Sequence, residues 1–223
     1  MSSREDILGR LRARLNRTAD NAASGRAAID AYLTAHQSGP RPHLEDDLRA
    51  RFMAKSQQLS STVDEVVALP EAPHATARYL ADHELPTRAV CWPQLADLDW
   101  PAASLQVEAR AARGDDLVGI TGCFCAVAET GTLVLCSGVT TPAAASLLPE
   151  THIAIVSASR IVADMEAAWQ LVRAEASGPD GAAGLPRAVN FISGPSRTGD
   201  IEQTIVLGAH GPYRVHIVVV RDE

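Results

Sequence analysis

Three short stretches of this chain gather the residue types that small-acid chemistry needs. The first is Ser193-Gly194-Pro195-Ser196-Arg197-Thr198-Gly199-Asp200-Ile201-Glu202. Ser193, Ser196 and Thr198 supply hydroxyls, and Gly194 lets a ligand approach the main chain. Arg197 can hold a carboxylate or phosphate with a two-pronged hydrogen bond. Asp200 is placed to cap a following helix, whose free N–H groups would add positive potential. The run follows Ala188-Val189-Asn190-Phe191-Ile192, so it reads as a loop between two buried elements that holds an anion, or else as an ordinary turn with a cap.

The second stretch runs from Gly119 to Thr132 and ends Glu129-Thr130-Gly131-Thr132 just before an apolar run. It sets a carboxylate and hydroxyls at the rim of a strand. Glu129 suits a base, a nucleophile or a hydrogen-bond anchor. Thr121, Thr130, Gly131 and Thr132 are ligand-binding candidates, although threonines at such places also serve as plain turn residues. The third stretch, Gly208-Ala209-His210-Gly211-Pro212, sets a histidine between glycines before the last strand. A ring titrating near neutrality is a natural acceptor for a hydroxyl proton. His152 and His216 fall inside apolar runs and read as structural.

Cys123 and Cys125 form a C-x-C pair, with Cys136 and Cys91 elsewhere. Neither paired C-x2-4-C units nor an iron–sulfur spacing is present, so no metal site is expected in this chain. G-x-G-x-x-G, G-x4-G-K-[ST], H-E-x-x-H and G-x-S-x-G are also missing. No cofactor is therefore expected here.

The elements that must position these groups follow from periodicity. Residues 1–60 read as a helical arm, marked by Leu8, Leu11 and Leu15 and by Leu44, Leu48, Phe52 and Leu59, and 61–223 as an α/β domain. Continuous apolar runs at 89–92, 133–136, 153–156, 189–192 and 215–220 read as strands covered on both faces, with helices over 72–83 and 161–175. The expected fold is α/β: three layers, helix-sheet-helix, around a mainly parallel sheet. Residues 177–184 read as a solvent loop.

Composition narrows the function classes. The 223 residues carry 20 Lys/Arg and 27 Asp/Glu, a net charge of −7. Residues 1–60 hold ten basic and seven acidic side chains (+3), which leaves −10 for the rest. An acidic main domain argues against nucleic acid. With no apolar run long enough to span a bilayer and an acidic start, Arg4-Glu5-Asp6, the expectation is a cytoplasmic protein with reduced thiols and no membrane span. A homo-oligomer is compatible with these features.

Gly119-Ile120-Thr121-Gly122, Ala128-Glu129-Thr130-Gly131-Thr132, Pro149-Glu150-Thr151-His152-Ile153, Ser193–Glu202 and Gly208–Pro212 together resemble the LutC/YkgG group of lactate-utilisation proteins, the LUD-domain family. The resemblance spans residues 85–220. It implies a fold akin to the NagB/RpiA/CoA-transferase group, and a part in oxidising L-lactate to pyruvate within a three-protein system whose partners carry the iron–sulfur clusters. Cys123-Phe124-Cys125 departs from the family pattern, where small or acidic residues are more usual. Lactate needs a cation for its carboxylate and a base for its hydroxyl, which Arg197 and His210 would supply. With no electron acceptor bound here, a substrate-handling or assembly subunit is the leading reading. Two others stay open: a CoA-transferase-like enzyme in which Glu129 attacks a thioester, and a non-catalytic sensor of an organic acid or sugar phosphate.

Overall fold

The computed structural model describes residues 3–35, 37, 39–41, 47–175, 184–201 and 204–221. The expected loop at 177–184 lies almost wholly outside them. The chain divides into two compact units, Met1–Pro42 and His43–Glu223. The first holds helices α1 (Ser3–Arg14) and α2 (Ala19–Ala35).

The second unit begins with α3 (Leu48–Gln58), β1 (Thr62–Val66), α4 (Ala72–Asp82), β2 (Arg88–Cys91) and β3 (Gln106–Ala109). It continues through β4 (Val118–Gly122), β5 (Cys125–Val127), β6 (Thr132–Cys136), α5 (Ala144–Leu147) and β7 (Thr151–Ser157). The remaining elements are β8 (Ile161–Val162), α6 (Met165–Glu175), β9 (Val189–Ile192), β10 (Arg197–Ile201), β11 (Thr204–Leu207) and β12 (Arg214–Val220). Asp47 caps α3 by accepting from Ala50 N at 2.9 Å, and α3 packs on β1 and β8, so it belongs to the α/β unit.

Six strands form one sheet in the order β1-β12-β7-β4-β2-β3, with every pair parallel. Its central strands alternate between two cores. Ile120, Ile153, Ile155 and Val218 face α4, packing on Ala75, Tyr79 and Leu80. Val90, Ala154, Val156, Ile217 and Val219 face the other way, toward Phe52 of α3, Ala145 of α5, and Ala126, Leu133 and Leu135.

Those last three residues belong to a second sheet, β8-β5-β6-β9, which pairs β5 antiparallel with β6, and β6 antiparallel with β9. Its outer face, Cys125, Val127 and Val134, is closed by Ala168 and Val172 of α6. The helix-sheet-helix expectation is thus met by the parallel sheet and its flanking helices. The expected strands at 133–136 and 189–192 are refined: they lie in this inserted sheet. A continuous apolar run states that both faces are covered but not which strand lies alongside.

Candidate functional site

The three motif stretches meet through a chain of hydroxyls and backbone contacts. Thr130 Oγ1 lies 2.7 Å from Thr132 Oγ1, which lies 2.7 Å from Ser193 Oγ, joining the second stretch to the first across 61 residues. Ser196 joins the first to the third: its N–H donates to Pro212 O (2.8 Å), its carbonyl accepts from Gly208 N (2.9 Å), and its hydroxyl accepts from His210 N (3.4 Å).

All of this is built against the end of α3. Gly131 has φ +64°, and a Cβ there would lie 2.6 Å from Ser56 N. Gly194 has φ +82°, and its Cβ would lie 2.4 Å from Leu59 O. Both positions need glycine for conformation and for space. Arg197 is exposed, and its Nη2 donates to Leu59 O (3.4 Å) and to the Ser60 hydroxyl. Arg197 therefore holds a carbonyl that the helix end leaves unpaired. Nη2 thus serves two acceptors of the α3–β1 junction. Nη1 and Nε make no hydrogen bond among the described residues and are left for a carboxylate.

The other candidates are placed as follows. Glu129 is half-buried; its N–H donates to Ala163 O (3.0 Å), and its carboxylate has no partner among the described residues. The His210 ring is exposed. Thr198 is buried, at 9% exposure. Asp200 lies in β10, which pairs with β11 as a hairpin, so no helix follows for it to cap. Its side chain lies outside the described residues. Thr121 is not gathered with the others. It is wholly buried, and its Oγ1 lies 2.8 Å from His152 Nε2 in the layer between the two sheets.

The cluster sits at the amino end of the parallel sheet. Leu59 and Ser60 lead into β1, and residues 208–213 lead into β12. Ligands of open parallel sheets usually lie at the carboxyl ends, so an anion site here is a product of the inserted sheet and the β10–β11 hairpin.

Sequence reasoning passed over a second feature of the same end. A cavity of about 410 Å³ is bordered by Ser61, Thr62, Asp64, Arg78, Tyr79 and His216, among others. Thr62 Oγ1 lies 2.9 Å from His216 Nδ1, and the Tyr79 ring stacks on His216 with centroids 3.9 Å apart. Burial pushes the His216 ring down to about 4, so it is neutral at physiological pH. Ser61 and Thr62 directly follow the Leu59–Ser60 pair that Arg197 holds. No local signal reveals this, because Thr62 and His216 are 154 residues apart.

Among the described residues, no group of three or more His, Cys, Asp or Glu is placed to hold a metal ion. Burial raises the Cys125 thiol to about 12 and the Cys136 thiol to about 11, which keeps both protonated. Among the described residues, no helix is long and apolar enough to cross a membrane.

Comparison with known proteins adds to this geometry. A family model described as the LUD domain matches residues 59–220. Lactate utilization protein C of Exiguobacterium sp. is 36% identical over 171 residues, 73% of this chain and 70% of that protein. Lactate utilization protein C 1 of Bacillus mycoides is 38% identical over 124 residues, and Lactate utilization protein C of Bacillus subtilis 38% over 134. The chain spans about half the length of these last two, 51% and 54%. The crystal structure of a DUF162 family protein from Deinococcus radiodurans superposes with a TM-score of 0.57 at 23% identity, covering 80% of this chain and 99% of that one. At that identity the likeness concerns the fold.

Proposed function

The chain belongs to the LUD-domain family, and on that premise we propose that it serves lactate utilisation as one subunit of a system oxidising L-lactate to pyruvate, handling substrate or assembly while partners carry the iron–sulfur clusters. The supporting observation is the meeting of Thr130, Thr132, Ser193, Ser196, Arg197 and the His210 loop at one end of the sheet. The names of the relatives point to the same process.

In this reading a small 2-hydroxy carboxylate is held by Nη1 or Nε of Arg197 and by the hydroxyls of the Thr132–Ser193 pair. The exposed His210 ring takes up the substrate's hydroxyl proton as oxidation proceeds. The Cα hydrogen leaves as the second proton, and it and the two electrons pass to the partners, which carry the clusters. Arg197 also positions the α3–β1 junction through Leu59 and Ser60, so its two tasks compete for one guanidinium.

Deletion of the chain should abolish growth on L-lactate, and the wild-type chain, but not Arg197→Ala or His210→Ala, should restore it. The chain should also co-purify with iron-containing proteins from native cytosol. Unchanged growth after deletion, together with recovery free of iron, would sink the proposal.

The unpartnered Glu129 carboxylate favours one other reading, attack on an acyl-CoA thioester. Incubating the chain with acyl-CoA and hydroxylamine should then give a Glu129 hydroxamate, absent in Glu129→Gln. A clean null with several acyl donors removes this reading.

A further inference from the structure

The amino-terminal unit carries apolar surface that its helices leave exposed. α1 has no buried residue, and Ile7, Leu11 and Leu15, spaced four apart on one face, are 47%, 51% and 67% exposed. On α2, Tyr32 and Leu33 are 67% and 59% exposed. A helix of about 12 residues is marginal in water without a surface to pack on, so α1 is built to be covered.

Its charge describes the cover. Arg10, Arg12, Arg14 and Arg17 interleave the α1 stripe. Residues 1–42 hold seven arginines against four acids, net +3, so of the chain's −7 the remaining residues carry −10. The surface that matches a basic, leucine-striped helix is acidic and leucine-rich.

The α/β unit presents such a surface. Leu117, Leu147 and Leu148 are 48%, 40% and 58% exposed, just ahead of the amino ends of β4 and β7. Leu117 O accepts from Thr151 N at 3.0 Å, which sets these two turns side by side. Asp115 and Glu150 are exposed next to these leucines in sequence and have no ion-pair partner among the described residues.

We infer that the amino-terminal arm of one copy docks on the α/β unit of a second copy, with the Leu11–Leu15 stripe over Leu117 and Leu148, and the α1 arginines against Asp115 and Glu150. Exchange of two arms makes a closed two-fold dimer in which each contact occurs twice. The rim is one residue from the Gly211 loop, since a Cβ at Gly211 would lie 4.0 Å from Leu147 O. The docked arm therefore borders the His210 loop of its partner.

Sedimentation velocity on the full chain tests this. The wild type should run at twice 23.6 kDa. Leu11→Asp/Leu15→Asp and, separately, Leu148→Asp should each run as monomers with unchanged circular dichroism. An equimolar mixture of the two variants should regain a dimer, because one supplies an intact arm and the other an intact rim. Should Leu148→Asp misfold, Glu150→Arg replaces it and should lower dimer affinity at least about tenfold in low salt, with a smaller effect at about 0.5 M salt where charge is screened. A wild-type monomer at every concentration, which includes an arm folded onto its own copy, overturns the inference. So do variants that keep the wild-type mass.

Discussion

His152 and His216 stand on neighbouring strands and each meets a threonine, but the two pairs face opposite sides of the parallel sheet. Thr121 and His152 lie between the sheets, 2.8 Å apart and both wholly buried. Thr62 and His216 lie toward α4, 2.9 Å apart, beside the cavity. Burial lowers each ring from 6.5 to about 4, and in each the second ring nitrogen is buried without a partner among the described residues. The difference is what else the ring feels. Burial alone acts on His152, whereas His216 is also raised by Asp64 and lowered by His83 and Arg78. The same residue pair is sealed packing in one place and the border of a charged cavity in the other.

The sealed side should be the less forgiving, and Gly119 gives the largest test. It is the register partner of His152, and a Cβ there would lie 2.0 Å from Ala145 O and 2.8 Å from Pro149 Cγ. Gly119→Ala should push α5 off the sheet and cost about 3 kcal/mol or more. Gly122→Ala, on the same strand but 3.6 Å from the Trp92 ring, should cost about 1 kcal/mol or less. Urea unfolding at neutral pH measures both, and equal costs would mean the layer yields more easily than its packing indicates.

Titration is the next largest effect and should treat the pairs alike. The native rings stay neutral down to about 4, while the unfolded rings take up protons below about 6.5. Stability from each is therefore complete above pH 6.5 and is lost as pH falls toward 4, at about 1.4 kcal/mol per unit, or about 2 kcal/mol each by pH 5. His152→Gln and His216→Gln should each remove one share of that slope. A wild-type slope in either variant would show that the ring in question is already charged or exposed.

How much of this was legible in the sequence depends on whether the signal was local. Continuous apolar runs marked β2, β6, β7 and β12, because burial on both faces leaves no polar alternation, whereas Val189, Phe191 and Ile192 marked β9 although it is a half-buried edge strand. Thr62-Val63-Asp64-Glu65-Val66 and Gln106-Val107-Glu108-Ala109 went unread, since β1 and β3 are sheet edges with polar, half-exposed faces. Residue types alone picked out Glu129, Thr130, Thr132, Ser193, Arg197 and His210. The hydroxyl chain from Thr130 to Ser193, the fastening of Arg197 to Leu59, and the cavity beside Thr62 are tertiary pairings that spacing does not encode. Asp200 was misread for the same reason: an acid after Gly199 caps a helix only if a helix follows, and β11 follows instead.

The smallest effect, a difference between two matched variants, separates the pairs most directly. Thr121→Val removes the one hydrogen bond that the fully buried His152 ring makes among the described residues, leaving both of its nitrogens without a partner there. That should cost about 1 to 3 kcal/mol, the penalty for an unsatisfied buried polar group. Thr62→Val removes the matching bond from His216, but Thr62 is exposed and borders a polar cavity. Water there can take over the lost contact, and valine suits an edge strand, so the cost should stay below about 1 kcal/mol. The two variants change the same atoms, so their difference in urea midpoint reports access rather than side-chain type. Equal costs would place the two histidines in equally dry surroundings and dissolve the contrast between the faces.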